Sequence, residues 1–460
     1  MKFPIPLLMI VLAACGTLVT PAFATAPEKT AQESVSTGAP PIRHPELTEL
    51  HTLLTQAAEA NPELRSAFYQ WQSALKAAIH ADGLPDPRLN FGYYTTPLET
   101  RGGPARYKYG LSQNFPLFGK LDLREKKALR QADGRKARLD ALKLETFSKV
   151  KKAYFEYAYL ARAIATTKES IALLEYLEKI ATARFTNGLA SHADVIRPQV
   201  ELGKLQERLH SLRASRRPQQ ARLNGLLNRS ETVSIAFPSS LPVMTLAPED
   251  LDWRAEMLRS NPQLRYQAMR TAGKKTDLQL AERDRFPDLT LSLETTEIDN
   301  ARNSGMQGDG DNPFMVGMSI NLPLWGNDKK AAINEQRAAV QAARHAEKGL
   351  ERQLQTELEL ALYAYRDAGR KIDLYRDALI PKAKQSLGIV MEEFMSGTGS
   401  ALDLVDSERT LLELQLTYYR AVTNRAQQIA RIEKLVGREL ACSFRTSILE
   451  TSAVSHSIRP

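Results

Sequence analysis

The stretch 147-FSKVKKAYFEYAYLARAIATTKESI-171 decides how this chain folds. Its apolar residues Phe147, Val150, Tyr154, Tyr157, Ala161, Ile164 and Ile171 step by alternating threes and fours, and only Lys168 interrupts them. That step is the seam of a coiled coil. Outward from it, Lys120 to Arg184 contains no proline and a single glycine, Gly134. An unbroken helix of about 65 residues is roughly 100 Å long at 1.5 Å per residue, beyond the span of a compact domain. Such a rod needs a partner along its seam.

The whole chain has 460 residues, 43% hydrophobic and only 7% aromatic, and Leu, Ala, Arg, Glu, Gln and Lys dominate. That is the composition of long helices rather than of a packed β protein. The net charge is +9, but the cations alternate with acids, as in Arg124, Glu125, Lys126, Lys127, Asp133 and Arg135. Solvated helix faces account for this pattern, and no nucleic-acid partner is expected. The two cysteines, Cys15 and Cys442, offer no disulfide framework.

Residues 1–24 read as a signal peptide: Lys2, an apolar run around Leu7 to Ala14, and Ala22-Phe23-Ala24 before the cut. The rival reading is a lipobox at Leu12-Ala13-Ala14-Cys15, which would leave Cys15 lipidated. No later stretch approaches the ~18 consecutive apolar residues of a membrane helix. Residues 25–45, rich in Pro, Thr, Ser and Ala, read as a flexible segment.

The rest is a duplication. Asn61-Pro62-Glu63-Leu64 recurs as Asn261-Pro262-Gln263-Leu264, and Phe115-Pro116-Leu117-Phe118-Gly119 as Leu322-Pro323-Leu324-Trp325-Gly326. Phe185-Thr186-Asn187-Gly188 with Asp194 recurs as Phe394-Met395-Ser396-Gly397 with Asp403. The expected first repeat is 46–229, with strands 88–96 and 106–115, a long helix from 120, a hairpin tip at 186–191 and a return helix at 192–227. The second is 249–438, with strands 288–297 and 313–322, a long helix over 329–394, a tip at 395–400 and a return helix over 401–436. Residues 230–248 link the two, and the tail 439–460 carries no legible pattern.

The strands alternate cleanly. Leu89, Phe91 and Tyr93 stand against Arg88, Asn90 and Gly92; Tyr107, Tyr109 and Leu111 stand against Arg106, Lys108 and Gly110. Segments of about ten residues that alternate in this way cross an outer membrane when tilted. Four strands cannot close a barrel, and a bilayer does not tolerate an open edge. Two chains would give eight strands and three would give twelve. A soluble pair of hairpins on a helix bundle is the alternative.

At these residues the chain resembles the TolC-type outer-membrane efflux channels of Gram-negative bacteria. Leu84-Pro85-Asp86-Pro87, the run from Gly110 to Lys120, and the run from Ala221 to Arg229 look most like the heavy-metal (cation) efflux branch. The resemblance implies a mainly α fold with a small transmembrane β part. In it, long coiled-coil helices form a trimeric α-barrel, and four strands per chain form a shared 12-stranded barrel. It also implies a homotrimer, outer-membrane lipid, a periplasmic membrane-fusion adaptor and a proton-driven inner-membrane efflux pump. The function implied is a passive exit duct; a periplasmic coiled-coil scaffold or adaptor without a pore is the other reading.

The family's adaptor-contacting tips fall on Asn187, Gly188 and Leu189 and on Ser396, Gly397 and Thr398, although turning the chain would by itself explain the glycines. Asp403 and Asp406, three apart on one helix face, resemble the family's aspartate constriction, where rings of acid favour cations. Asp is also favourable at any exposed helix N-terminus. Asp194 takes the matching place in the first repeat, and Phe394 sits where the family has an aromatic latch. Gly399 stands where well-known members carry a basic latch residue. No catalytic constellation, cofactor site or built metal site is legible: the seven histidines form no ligand pair, and Gly308 to Asn312 lacks the terminal Glu of a calcium loop.

Overall fold

Two repeats each run from a short helix, through an Asn-Pro helix start, to a return helix. The first comprises α1 (Thr48–Ala60), α2 (Pro62–Ile79), the strands β1 (Arg88–Thr100) and β2 (Gly103–Phe115), then α3 (Lys120–Thr186), α4 (His192–Ala214) and α5 (Arg216–Leu226). After β3 (Val243–Leu246) come α6 (Trp253–Ser260), α7 (Pro262–Arg283), β4 (Leu289–Ile298), β5 (Phe314–Ile320), α8 (Gly326–Leu374), a π-turn (Tyr375–Leu379), α9 (Ile380–Ser396), α10 (Ala401–Val436) and β6 (Cys442–Arg445). The computed structural model describes residues 47–100, 102–247, 252–300, 310–324 and 326–445, all in the unit Pro40–Pro460. The leader 1–24 with Cys15, the segment 25–45, Gly308, Asp309, Trp325 and the tail from 446 lie outside the described residues.

Asn61 and Asn261 show why the second helix of each repeat starts where it does. The Asn61 side chain accepts from the amides of Glu63 (2.9 Å) and Leu64 (3.2 Å), and Asn261 does the same for Gln263 (2.8 Å) and Leu264 (3.1 Å). Proline follows each, where a missing amide costs nothing. Each side-chain amide then donates to the end of its own repeat's return segment: Asn61 to the Leu226 carbonyl (3.4 Å), Asn261 to that of Leu435 (2.7 Å).

α3 runs 67 residues without a break. Its first half packs between α2 and α7, and its second half between α4 and α10. The seam residues Phe147, Val150, Tyr154, Tyr157, Ile164 and Ile171 are buried, whereas Ala161 is only half-buried and Lys168 is exposed. Burial is wider than one seam at mid-helix, where Ala153, Phe155, Ala158 and Leu160 are also covered. There α1 and α5 pack on α3 in addition to α10.

The return helix expected over 192–227 breaks at Ser215, three residues before Pro218. The long helix expected over 329–394 contains the π-turn, whose Asp377 lies four residues before Pro381. Proline gives no amide to the carbonyl four residues back and its ring crowds that carbonyl, so the helix widens or breaks just upstream. The linker and tail also hold order that the sequence did not reveal. β3 and β6 pair antiparallel, Val243 with Arg445 through Leu246 with Cys442.

β1, β2, β4 and β5 form one antiparallel sheet in that order. β1 and β2 are longer than their alternating patterns. Past a register shift between Tyr93 and Leu98, Leu98 pairs with Ala105 and Thr100 with Gly103. The backbone still finds partners there although the two-residue side-chain period has been lost.

Candidate functional site

The sheet has two chemically distinct faces. Pairing puts Phe91 opposite Tyr109, Leu111 opposite Leu293, and Leu293 opposite Val316. Leu89, Phe91, Phe314, Val316 and Met318 are all more than 60% exposed, an apolar belt that none of the described residues covers. The aromatic rings on it touch, Phe91 with Tyr109 at 5.5 Å and Tyr93 with Tyr107 at 5.3 Å. On the opposite face Asn90, Lys108, Ser112, Ser292 and Glu294 stand together, with Lys108 paired to Glu294 at 2.7 Å. Among the described residues, the outer edges of β1 and β5 have no strand partner. At the sheet's helical end, Lys120 ties the start of α3 to the start of β4, bonding the Asp288 carboxylate (2.7 Å) and the Phe286 carbonyl (2.9 Å).

At the other end of the helices the two tips meet. Asn187, Gly188 and Leu189 are exposed, as are Ser396, Gly397 and Thr398. Gly188 (φ 72°) and Gly397 (φ 92°) both occupy the left-handed region, which lets antiparallel helices join through a short turn. Phe394 is 2% exposed. The residue that joins the tips is Arg184, in the last turn of α3. Its guanidinium donates to the carbonyls of Leu189 (3.3 Å) and Phe394 and lies 5.2 Å from the centre of the Phe394 ring. Nothing in the sequence marks it beyond being a cation at a helix C-terminus, a common placement.

Asp194 lies beside the second tip. It closes a capping box with Ser191, accepting from the Ser191 amide (3.0 Å) and hydroxyl (2.7 Å). The Ser191 hydroxyl, opposed by burial and helped by the Ser191 and Ala401 amides and Arg197, holds its carboxyl below the usual range. Asp403 and Asp406 are both exposed on the first turns of α10; Asp406 pairs with Arg409 at 3.5 Å. Gly399 leaves no room for a side chain: a Cβ would lie 2.8 Å from the Phe394 nitrogen. A basic latch residue has no room there.

Two buried acids follow on the same helices. Burial pushes the Glu408 carboxyl up, with the nearby Glu201 charge adding to it; bonds from Ser170 and the Arg409 charge oppose. Glu201 is also buried, which works against its charge, yet Arg409 (2.8 Å) and Lys204 (3.1 Å) hold it below the usual range. Among the described residues no group of three or more His, Cys, Asp or Glu is placed to hold a metal ion, and no helix is long and apolar enough to cross a membrane.

A model of the outer membrane efflux protein family matches residues 53–229 and 253–438. Nodulation protein T of Rhizobium leguminosarum bv. trifolii is 23% identical over 325 residues, covering 70% of this chain and 69% of that protein. The cobalt-zinc-cadmium resistance protein CzcC of Cupriavidus metallidurans is 22% identical over 400 residues, covering 85% and 90%. The outer membrane protein VceC of Vibrio cholerae superposes with a TM-score of 0.71 at 18% identity, covering 85% of this chain and 96% of that one. The fold is that of the TolC-like outer-membrane channels.

Proposed function

The chain belongs to the outer membrane efflux protein family, and on that premise we propose that it closes a duct as a homotrimer and conducts heavy-metal cations through it. It is an outer-membrane efflux channel reaching into the periplasm, a passive conduit and not an enzyme, of the kind that works with an adaptor and an inner-membrane pump. The reading as a scaffold without a pore is set aside by the family match. The observation that carries the pooling of copies is the open four-stranded sheet, whose apolar face is uncovered and whose two edges are unpaired among the described residues. Hydrocarbon offers those edges no hydrogen bonds, so strands must be pooled. Two copies of a four-stranded sheet make a barrel of eight and three a barrel of twelve, both even and within the usual range, and three is the number that the resemblance to the TolC-type channels implies.

The cation cargo is supported by the runs around Leu84-Pro85-Asp86-Pro87 and Gly110 to Lys120, and by the extent of the match to CzcC, named for cobalt, zinc and cadmium resistance. In the trimer, Asp403 and Asp406 become rings of carboxylates at the tunnel entrance, Asp194 and Phe394 hold the neighbouring helices, and the exposed tip residues receive the adaptor. Conductance of the purified protein in planar bilayers, with heat-sensitive migration as a trimer, tests the duct. A monomer that is soluble without detergent would sink it. Asp403→Ala with Asp406→Ala should weaken block of the pore by multivalent cations, and unchanged block would remove the constriction. A deletion strain challenged with metals and drugs tests the cargo; sensitivity to drugs alone would refute the metal reading.

A further inference from the structure

Between α2, α3 and α7 lies an open cavity of about 900 Å³ that neither the strands nor the tips explain. Lys127, Arg130 and Arg135 line it from α3, and Arg270 and Lys274 from α7. The single carboxylate in its wall, Asp277, is shared by Lys127 (2.8 Å) and Lys274 (3.3 Å). Among the described residues, Arg130, Arg135 and Arg270 have no carboxylate within ion-pair distance. Two of them touch only neutral groups, Arg135 the Gln70 side chain (3.3 Å) and Arg270 that of Gln267 (3.4 Å).

The cavity also has an apolar component and open room. Tyr69 stands on the α2 side and Tyr266 and Met269 on the α7 side. Gly134 brings α3 against α7, with Tyr266 3.7 Å from where a Cβ would be, while nothing lies within 4 Å of that position at Gly273. Guanidinium forks bind oxyanions in a bidentate way, and aromatic faces accept an apolar body alongside them.

We propose that this cavity binds organic polyanions, molecules with an aromatic or apolar body bearing two or more phosphate, sulfonate or carboxylate groups. The source is a soluble solute rather than a lipid headgroup. Arg130 lies roughly 15 Å along α3 from the helix start at Lys120, at 1.5 Å per residue, away from the membrane-facing strands. The inference concerns a different place from the acidic entrance and does not depend on the cation reading.

Titration of pyrenetetrasulfonate into the full-length protein in neutral detergent, followed by fluorescence anisotropy, tests it. Saturable binding that inorganic pyrophosphate displaces is expected. Arg130→Ala with Arg270→Ala should weaken it about tenfold or more, as expected for losing two charge-assisted contacts. Arg138→Ala with Lys275→Ala removes the same charge from exposed positions outside the cavity and should change binding less than about twofold. Absence of saturable binding, unchanged affinity in the cavity variant, or equal weakening in both variants would overturn the assignment.

Discussion

Asp194 and Asp403 hold matching places in the two repeats, each three residues after a serine, Ser191 and Ser400. The same local signal gives two outcomes. Asp194 closes the capping box and also supports the Ala401 amide of the neighbouring return helix. At the second tip, the Ser400 hydroxyl accepts from Leu402 (3.1 Å), and Asp403 is left exposed. A duplicated sequence therefore preserves position without preserving work. An acid already bonded into the fold is unavailable to an ion in the tunnel, whereas an exposed one remains available. The tips differ in packing too: the second holds Phe394 in the core under Arg184, while the first leaves Phe185 41% exposed.

The largest expected effect on this contrast comes from Arg184→Ala. It removes two charge-assisted bonds and the stacking on Phe394, and should loosen the second tip by roughly 2–3 kcal/mol. Faster hydrogen exchange across residues 393–401 is the readout. Protection unchanged at the second tip would mean that the tips hold themselves independently. Gly399→Ala comes next, at about 2 kcal/mol, because its Cβ would have to displace backbone. Gly188→Ala should cost only about 1 kcal/mol for the left-handed backbone, since nothing lies within 4 Å of its Cβ. Equal costs at the two glycines would break the comparison.

Asp194→Ala should cost about 1 kcal/mol, the usual worth of a cap. The pH axis sharpens this. The folded pKa of Asp194 is depressed, so its contribution is present above the unfolded value near ~3.9 and is lost as pH falls through the folded value. Glu408 has the opposite sign. With its folded pKa raised, its contribution is full below the unfolded value near ~4.3 and is lost as pH rises through the folded one. Glu408→Gln should flatten that second dependence, measured as melting temperature against pH, and an unchanged slope would show that another group causes it. The smallest effect belongs to Asp403→Asn with Asp406→Asn. Both are exposed, so stability should move by less than about 0.5 kcal/mol while pore block changes. A large loss of stability would make these acids part of the fold after all.

The sequence by itself determined the long helix α3, the strands with their apolar and polar faces, and both tip turns. Each of these is written in a period of two or 3.5 residues, or in a cap, within a short window of chain. Only the tertiary structure decided which distant pieces meet: β3 with β6, Arg184 with Phe394, Asp194 with Ala401, and the five cations between α2, α3 and α7. The first three contacts span roughly 200 residues and the cations come from two separate helices, and their energy depends on geometry that no local pattern encodes. An arginine at a helix end or a lysine on a charged face has the same sequence signature whether or not a partner waits across the fold.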